Sequence, residues 1–95
     1  MFVEWAYYED FDEAYFVANA TPNKEGDRVQ YACEYTHLEG YSDSIDWEDE
    51  FEHSFDTYQY NVDGDTGITN LTIYARSVRG EKVSEPISWH EYWGP

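Results

Sequence analysis

Basic residues are scarce. Five Lys and Arg stand against 21 Asp and Glu in 95 residues, a formal net charge of −16. That shortage excludes a basic nucleic-acid-binding domain, whose phosphate contacts need clustered cations. It also excludes an anchor on an anionic membrane surface. There is one cysteine, Cys33, so no internal disulfide can staple the chain. Apolar runs are only a few residues long, too short for a membrane-spanning helix. No Gly-rich phosphate loop and no nucleophile elbow occurs.

Aliphatic residues are also few. Leu, Ile, Val and Phe number 17 of 95, which together with high net charge is a composition typical of disorder. Aromatics compensate. They form 20% of the chain, ten of them Tyr and four Trp. Each aromatic buries roughly 150–250 Å², so a core of rings can replace one of branched aliphatics. The expectation is one folded domain over residues 1–95, with an aromatic core and an acidic skin.

Period-two alternation dominates. Val29, Tyr31, Cys33 and Tyr35 alternate with Gln30, Ala32, Glu34 and Thr36. Tyr58, Tyr60 and Val62 alternate with polar neighbours, as do Leu71, Ile73 and Ala75. Each run reads as a half-buried strand. Phe2–Tyr8 and Ala14–Ala20 add two more, and Val83–His90 reads as a last strand in which Pro86 marks an edge or bulge. Turn chemistry separates these runs at residues 21–26, 61–67 and 79–81. The expected fold is all-β, an antiparallel immunoglobulin- or fibronectin III-like sandwich of six to seven strands. Residues 45–55 stay open. Trp47, Phe51 and Phe55 are spaced by four, which suits a short helix, yet Ile45 with Trp47 and Phe51 with His53 and Phe55 alternate as in strands.

The stretch from Asn70 to Ser88, with its alternating apolar residues, tight turn at Gly80 and Ser84-Glu85-Pro86, resembles the last two strands of a fibronectin type III domain. On that plan Glu13–Pro22 looks like the second strand and Arg28–Thr36 like the third. Leu71 stands where the family has its corner Tyr, and the second strand lacks the family's core Trp. The resemblance implies a scaffold for protein contacts without inherent catalysis; no cofactor is expected.

Candidate chemistry is thin. Glu50 and His53 match the Glu-x-x-His spacing of di-iron bundles, but that site needs four helices and a second copy of the motif. Asn61, Asp63 and Asp65 resemble the start of a calcium loop. Gly is displaced, and no Glu closes the loop, so a hairpin turn fits better. Cys33 on an alternating strand reads as a small core residue. Acids are too numerous for any pair to single out a glycosidase.

The acidity itself needs an account. Residues 1–60 carry 16 acids and two bases, whereas residues 61–95 carry five and three. One cluster is Asp43, Asp46, Glu48, Asp49, Glu50, Glu52 and Asp56. A second is Glu9, Asp10, Asp12 and Glu13. Aromatics punctuate the first cluster and suit it to presentation on a fixed surface. The surface expected to result fits a basic nucleic-acid-binding protein or complex as partner, with no direct contact to nucleic acid or membrane. In size and charge the chain is similar to small acidic phage proteins that mimic DNA and block restriction enzymes or CRISPR effectors. The rival readings are a non-catalytic adhesion or carbohydrate-binding sandwich and a halophilic coat. No secretory signal follows Met1, so the expected location is the cytoplasm, of the host cell if the protein is phage-encoded. The expected state is a monomer or a homodimer. Repulsion would restrict a dimer contact to the less acidic C-terminal half.

Overall fold

The computed structural model describes residues 1–8, 13–37, 40–56 and 68–92, with the side chains of Tyr7, Tyr8 and Asp56 left aside. Eight strands follow in order: β1 (Phe2–Tyr8), β2 (Glu13–Asn19), β3 (Arg28–His37), β4 (Ser42–Glu48), β5 (Phe51–Asp56), β6 (Ile68–Arg79), β7 (Lys82–Val83) and β8 (Ile87–Tyr92). They form two antiparallel sheets. One has the order β1-β2-β5; the other has β4-β3-β6-β7, with β8 also paired to β6. The fold is therefore all-β and sandwich-like. Among the described residues no helix is long and apolar enough to cross a membrane.

Residues 45–55 lie in strands β4 and β5 with a two-residue crossover between them, so the helical alternative is set aside. The expected strand over Tyr58–Val62 and the turn at 61–67, with its calcium-like spacing, fall outside the described residues.

The core follows from alternation. Ala14, Phe16 and Ala18 on β2 face Tyr31 and Cys33 on β3, Phe51 and Phe55 on β5, and Leu71, Ile73 and Ala75 on β6. Phe16 sits at its centre with none of its surface exposed. Its ring meets Trp5 at 5.8 Å, Phe55 at 6.0 Å and Trp89 at 6.0 Å between centroids. Rings from three strands thus close on one β2 side chain, which is how so few aliphatics suffice. Cross-sheet contacts also set which edges lie side by side. Tyr35 of β3 packs on Phe55 of β5 at 4.8 Å, and Glu48 of β4 meets His53 of β5. Trp89 of β8 packs on Phe16 of β2. Strands β4 and β5 therefore share one lateral edge, and β1 shares the opposite one with β7 and β8.

Two irregularities matter. Between the pairs Cys33↔Ile45 and Tyr31↔Glu48, β4 has one residue more than β3. This bulge at Asp46 and Trp47 reverses the parity of β4. Alternation placed Ile45 and Trp47 on one face. Instead Ile45 packs against the core and Trp47 lies on the outer face beside Arg76. The second irregularity splits the last strand. Ala75 pairs with Ile87 and Val78 with Val83, so the β7–β8 side carries one extra residue around Pro86. Pro86 has no N–H to give the ladder, and Ser84 compensates. Its Oγ accepts from Ser77 N at 2.9 Å, and its N donates to Ser77 O at 3.0 Å. The turn before β7 uses Gly80 at φ +58°, a conformation that disfavours a side chain.

Candidate functional site

The first acidic cluster forms the lateral edge where the two sheets meet, with its members facing different ways. Asp43 and Asp46 are exposed on β4, Asp49 and Glu50 form the crossover, and Glu52 points from β5 to the outer face of the three-stranded sheet. Glu48 differs. The bulge turns it inward, where its Oε1 meets Nε2 of His53, both side chains about one-third exposed. His53 also lies edge-on to Phe51 at 4.8 Å. Glu48 therefore fastens the edge and is not wholly available to a partner. Glu50 lies outside β5 at the crossover and His53 pairs with Glu48, so the Glu-x-x-His spacing does not make a helical ligand pair.

Several carboxylates are held in place. Asp43 Oδ1 accepts from Ser44 N at 2.9 Å and Asp46 Oδ1 from Trp47 N at 2.8 Å. Tyr15 donates its hydroxyl to Glu52 Oε1. Such bonds orient a carboxylate without neutralising it. Among the described side chains of the cluster, Asp49 is the one paired with an Arg or Lys, Arg28 at 3.3 Å, and both side chains are more than half exposed. A pair so solvated contributes little.

Of the second cluster, Glu9, Asp10 and Asp12 lie outside the described residues. Glu13 opens β2 and is the ladder partner of Asp56 on β5. The two clusters are 30 or more residues apart in sequence, and the β2–β5 pairing brings their ends together. Glu4 joins the same face: it pairs with Val17, which pairs with Glu52. Reading the sequence had passed over Glu4, because its neighbours across the sheet are set only by pairing. Glu34 is likewise exposed, beside Ser44 on the outer face of the larger sheet.

The cations are segregated. Lys24 lies between β2 and β3, Arg28 starts β3, Arg76 and Arg79 end β6, and Lys82 starts β7. All five therefore stand at one end of the sandwich. Arg79 Nε bonds Asp27 Oδ1 at 2.6 Å, and Arg76 lies over the Trp47 ring. At the other end lie Tyr8, Glu13, His37, Ser42, Asp56 and Ile68. The sequence joining these positions carries Glu9, Asp10, Asp12, Glu39, Asp63 and Asp65, and no Lys or Arg.

Cys33 is buried in the core, as its place on an alternating strand predicted. Burial pushes its thiol from 9.0 to about 12, and nearby Glu48, Glu34 and Asp43 add to the rise. A thiol so protonated is a poor nucleophile at neutral pH. Burial, followed by Asp43, also raises the Tyr35 hydroxyl.

No family model, curated protein or solved structure matches this chain.

Proposed function

We propose that this protein is a nucleic-acid mimic that occupies the basic DNA- or RNA-binding groove of a host defence or DNA-processing protein, in the manner of anti-CRISPR or anti-restriction inhibitors. The observation that carries the reading is the segregation of charge on a rigid scaffold. Sixteen net negative charges over a 48 Å long axis amount to one per about 3 Å, against about 3.4 Å for a single strand and about 1.7 Å for a duplex. Five cations gather at one end together with Asp27 and Asp49, which pair with two of them, while Asp43 lies toward the other end of the β4–β5 edge. A solvated coat has no need of such separation. The strand order β1-β2-β5 against β4-β3-β6, with a split last strand, supports a fibronectin type III-like scaffold.

The carbohydrate-binding alternative draws on Trp47 and Tyr74, which flank a shallow groove on the outer face of the larger sheet. Arg76 already lies 3.9 Å from the centre of the Trp47 ring, and that contact competes with sugar stacking.

The test is capture from host lysate at 50 and 500 mM NaCl, followed by competition with duplex DNA and RNA. Mimicry expects a nucleic-acid-binding protein that is released by salt and displaced by nucleic acid. Reversal of Asp43, Asp46, Asp49, Glu50 and Glu52 to Lys should abolish capture. Binding that ignores salt, nucleic acid and these reversals would falsify the reading.

A further inference from the structure

The outer face of the larger sheet holds a slot with a methyl floor and aromatic walls. Ala32 on β3 pairs with Tyr74 on β6, and on its other side β4 makes its bulge at Asp46 and Trp47. Ala32, Trp47 and Tyr74 all line the groove there. A methyl group does not fill the space between two rings. Strands β4 and β6 are two ladder spacings apart, about 9.5 Å. A planar group held between two rings needs about 7–8 Å, twice an ordinary carbon contact. The walls therefore stand at a spacing that side chains can close on a flat ligand.

The two ends of the slot differ in charge. Gln30 and Glu34 lie two residues to either side of Ala32 on β3 and share its face. At the Gln30 end stands Arg76, bonded to Gln30 Oε1. At the other end Glu34 is exposed, with Ser44 and Thr72 as its ladder partners. Among the described residues its carboxylate has no ion pair and no hydrogen bond. Asp46 also lines the groove; its Oδ1 accepts from Trp47 N, and Oδ2 has no partner among the described residues. Arg76 shows what the Trp47 ring accepts, since its guanidinium lies 3.9 Å from the ring centre. Arg76 does not itself line the groove, so it covers a side of Trp47 that the slot leaves free.

We infer that the slot between Trp47 and Tyr74 receives a guanidinium group, an arginine side chain of the basic partner, with Glu34 as its carboxylate acceptor. The mimicry reading is needed here only for the source of that arginine. Two unpaired carboxylates and a chain of net charge −16 call for a cation. Ring walls favour a planar one that stacks. A carboxylate matches the fork of a guanidinium in two parallel hydrogen bonds, which an ammonium does not reproduce. A nucleotide brings phosphate into the same negative field and is repelled, and a neutral sugar gains nothing from that field. Asp46 and Trp47 belong to the β4 edge. An arginine seated in the slot therefore fixes where a partner sits along the acidic edge, which dispersed carboxylates alone leave undefined.

Titration of the full chain with N-acetyl-arginine methylamide at low salt, followed by proton–nitrogen NMR, tests this. The expected result is a set of saturable shifts confined to the Trp47 indole and to Ala32, Glu34 and Tyr74. The lysine analogue should bind about tenfold more weakly. Glu34→Gln should weaken the arginine probe by about tenfold, and Tyr74→Leu by about threefold. Both side chains lie on the outer face of the sheet, and circular dichroism checks that the variants fold. Shifts spread evenly along the acidic edge, equal binding of the lysine analogue, undiminished binding by Glu34→Gln, or a preference for maltotriose would each overturn the proposal. The titration needs no partner. An empty slot sinks this inference and leaves mimicry to the lysate experiment, whereas failed capture with a filled slot counts against mimicry alone.

Discussion

The guanidinium of Arg76 lies 3.9 Å from the centre of the Trp47 ring, while its Nε and Nη2 both donate to Oε1 of Gln30 at 3.1 and 2.8 Å. Three strands are tied by this one side chain: β6 through its backbone, β3 through Gln30 and β4 through Trp47. The bulge at Asp46 and Trp47 makes the contact reachable, and the contact in turn holds the acidic β4 edge in position.

Replacement of Arg76 by Ala removes a cation–π contact and a forked hydrogen bond. The expected loss is about 1–2 kcal/mol, or roughly 4–16 °C in melting temperature for a domain of this size. Arg76→Lys should recover only part of it, because an ammonium does not reproduce the planar fork. Thermal unfolding with Trp fluorescence checks both.

Phe16 is fully buried and meets rings from β1, β5 and β8. Phe16→Ala should cost about 3–5 kcal/mol, a large share of the roughly 5–15 kcal/mol that holds a domain together. Denaturant titration should show a lower midpoint, and near-UV circular dichroism should lose the signal of the packed rings.

Cys33 makes stability depend on alkali. Its folded thiol is raised from 9.0 to about 12, so above pH 9 the unfolded chain ionises first and binds fewer protons than the native state. The contribution is complete below pH 9 and is lost as pH rises toward 12. Cys33→Ala should flatten that decline in urea titrations between pH 8.5 and 11. At neutral pH the native thiol should react with a disulfide reagent far more slowly than the urea-unfolded thiol.

Glu13 opens β2 in a chain of net charge −16, and self-repulsion of like charges destabilises the compact state. Glu13→Gln should therefore raise stability by about 0.2–1 kcal/mol. If this surface serves the proposed mimicry, the same change lowers partner affinity at low salt. Calorimetric unfolding and a binding titration, run side by side, separate the two effects.

Alternation located β1, β2 and β3 within a residue or two and the middle of β6, and the Tyr31, Cys33, Ile73 and Ala75 face is the buried one. It failed at Trp47, because one inserted residue reverses every side chain beyond it. Nothing local marks that insertion. The pairing of β4 with β3 creates it. The candidate site was legible as a list of carboxylates and not as a surface. Asp43 and Asp46 belong to one sheet, Glu52 to the outer face of the other, and Glu48 turns inward to His53.

What the sequence by itself determined is the charge, the aromatic substitution for an aliphatic core and the two-residue rhythm of the strands, since all three are properties of composition and near neighbours. Only the tertiary structure decided that five cations share one end, that Glu13 pairs with Asp56 in the ladder, and that Glu48 turns inward to His53. Those are long-range outcomes of which strand pairs with which, and a ladder joins residues that the chain itself keeps tens of positions apart.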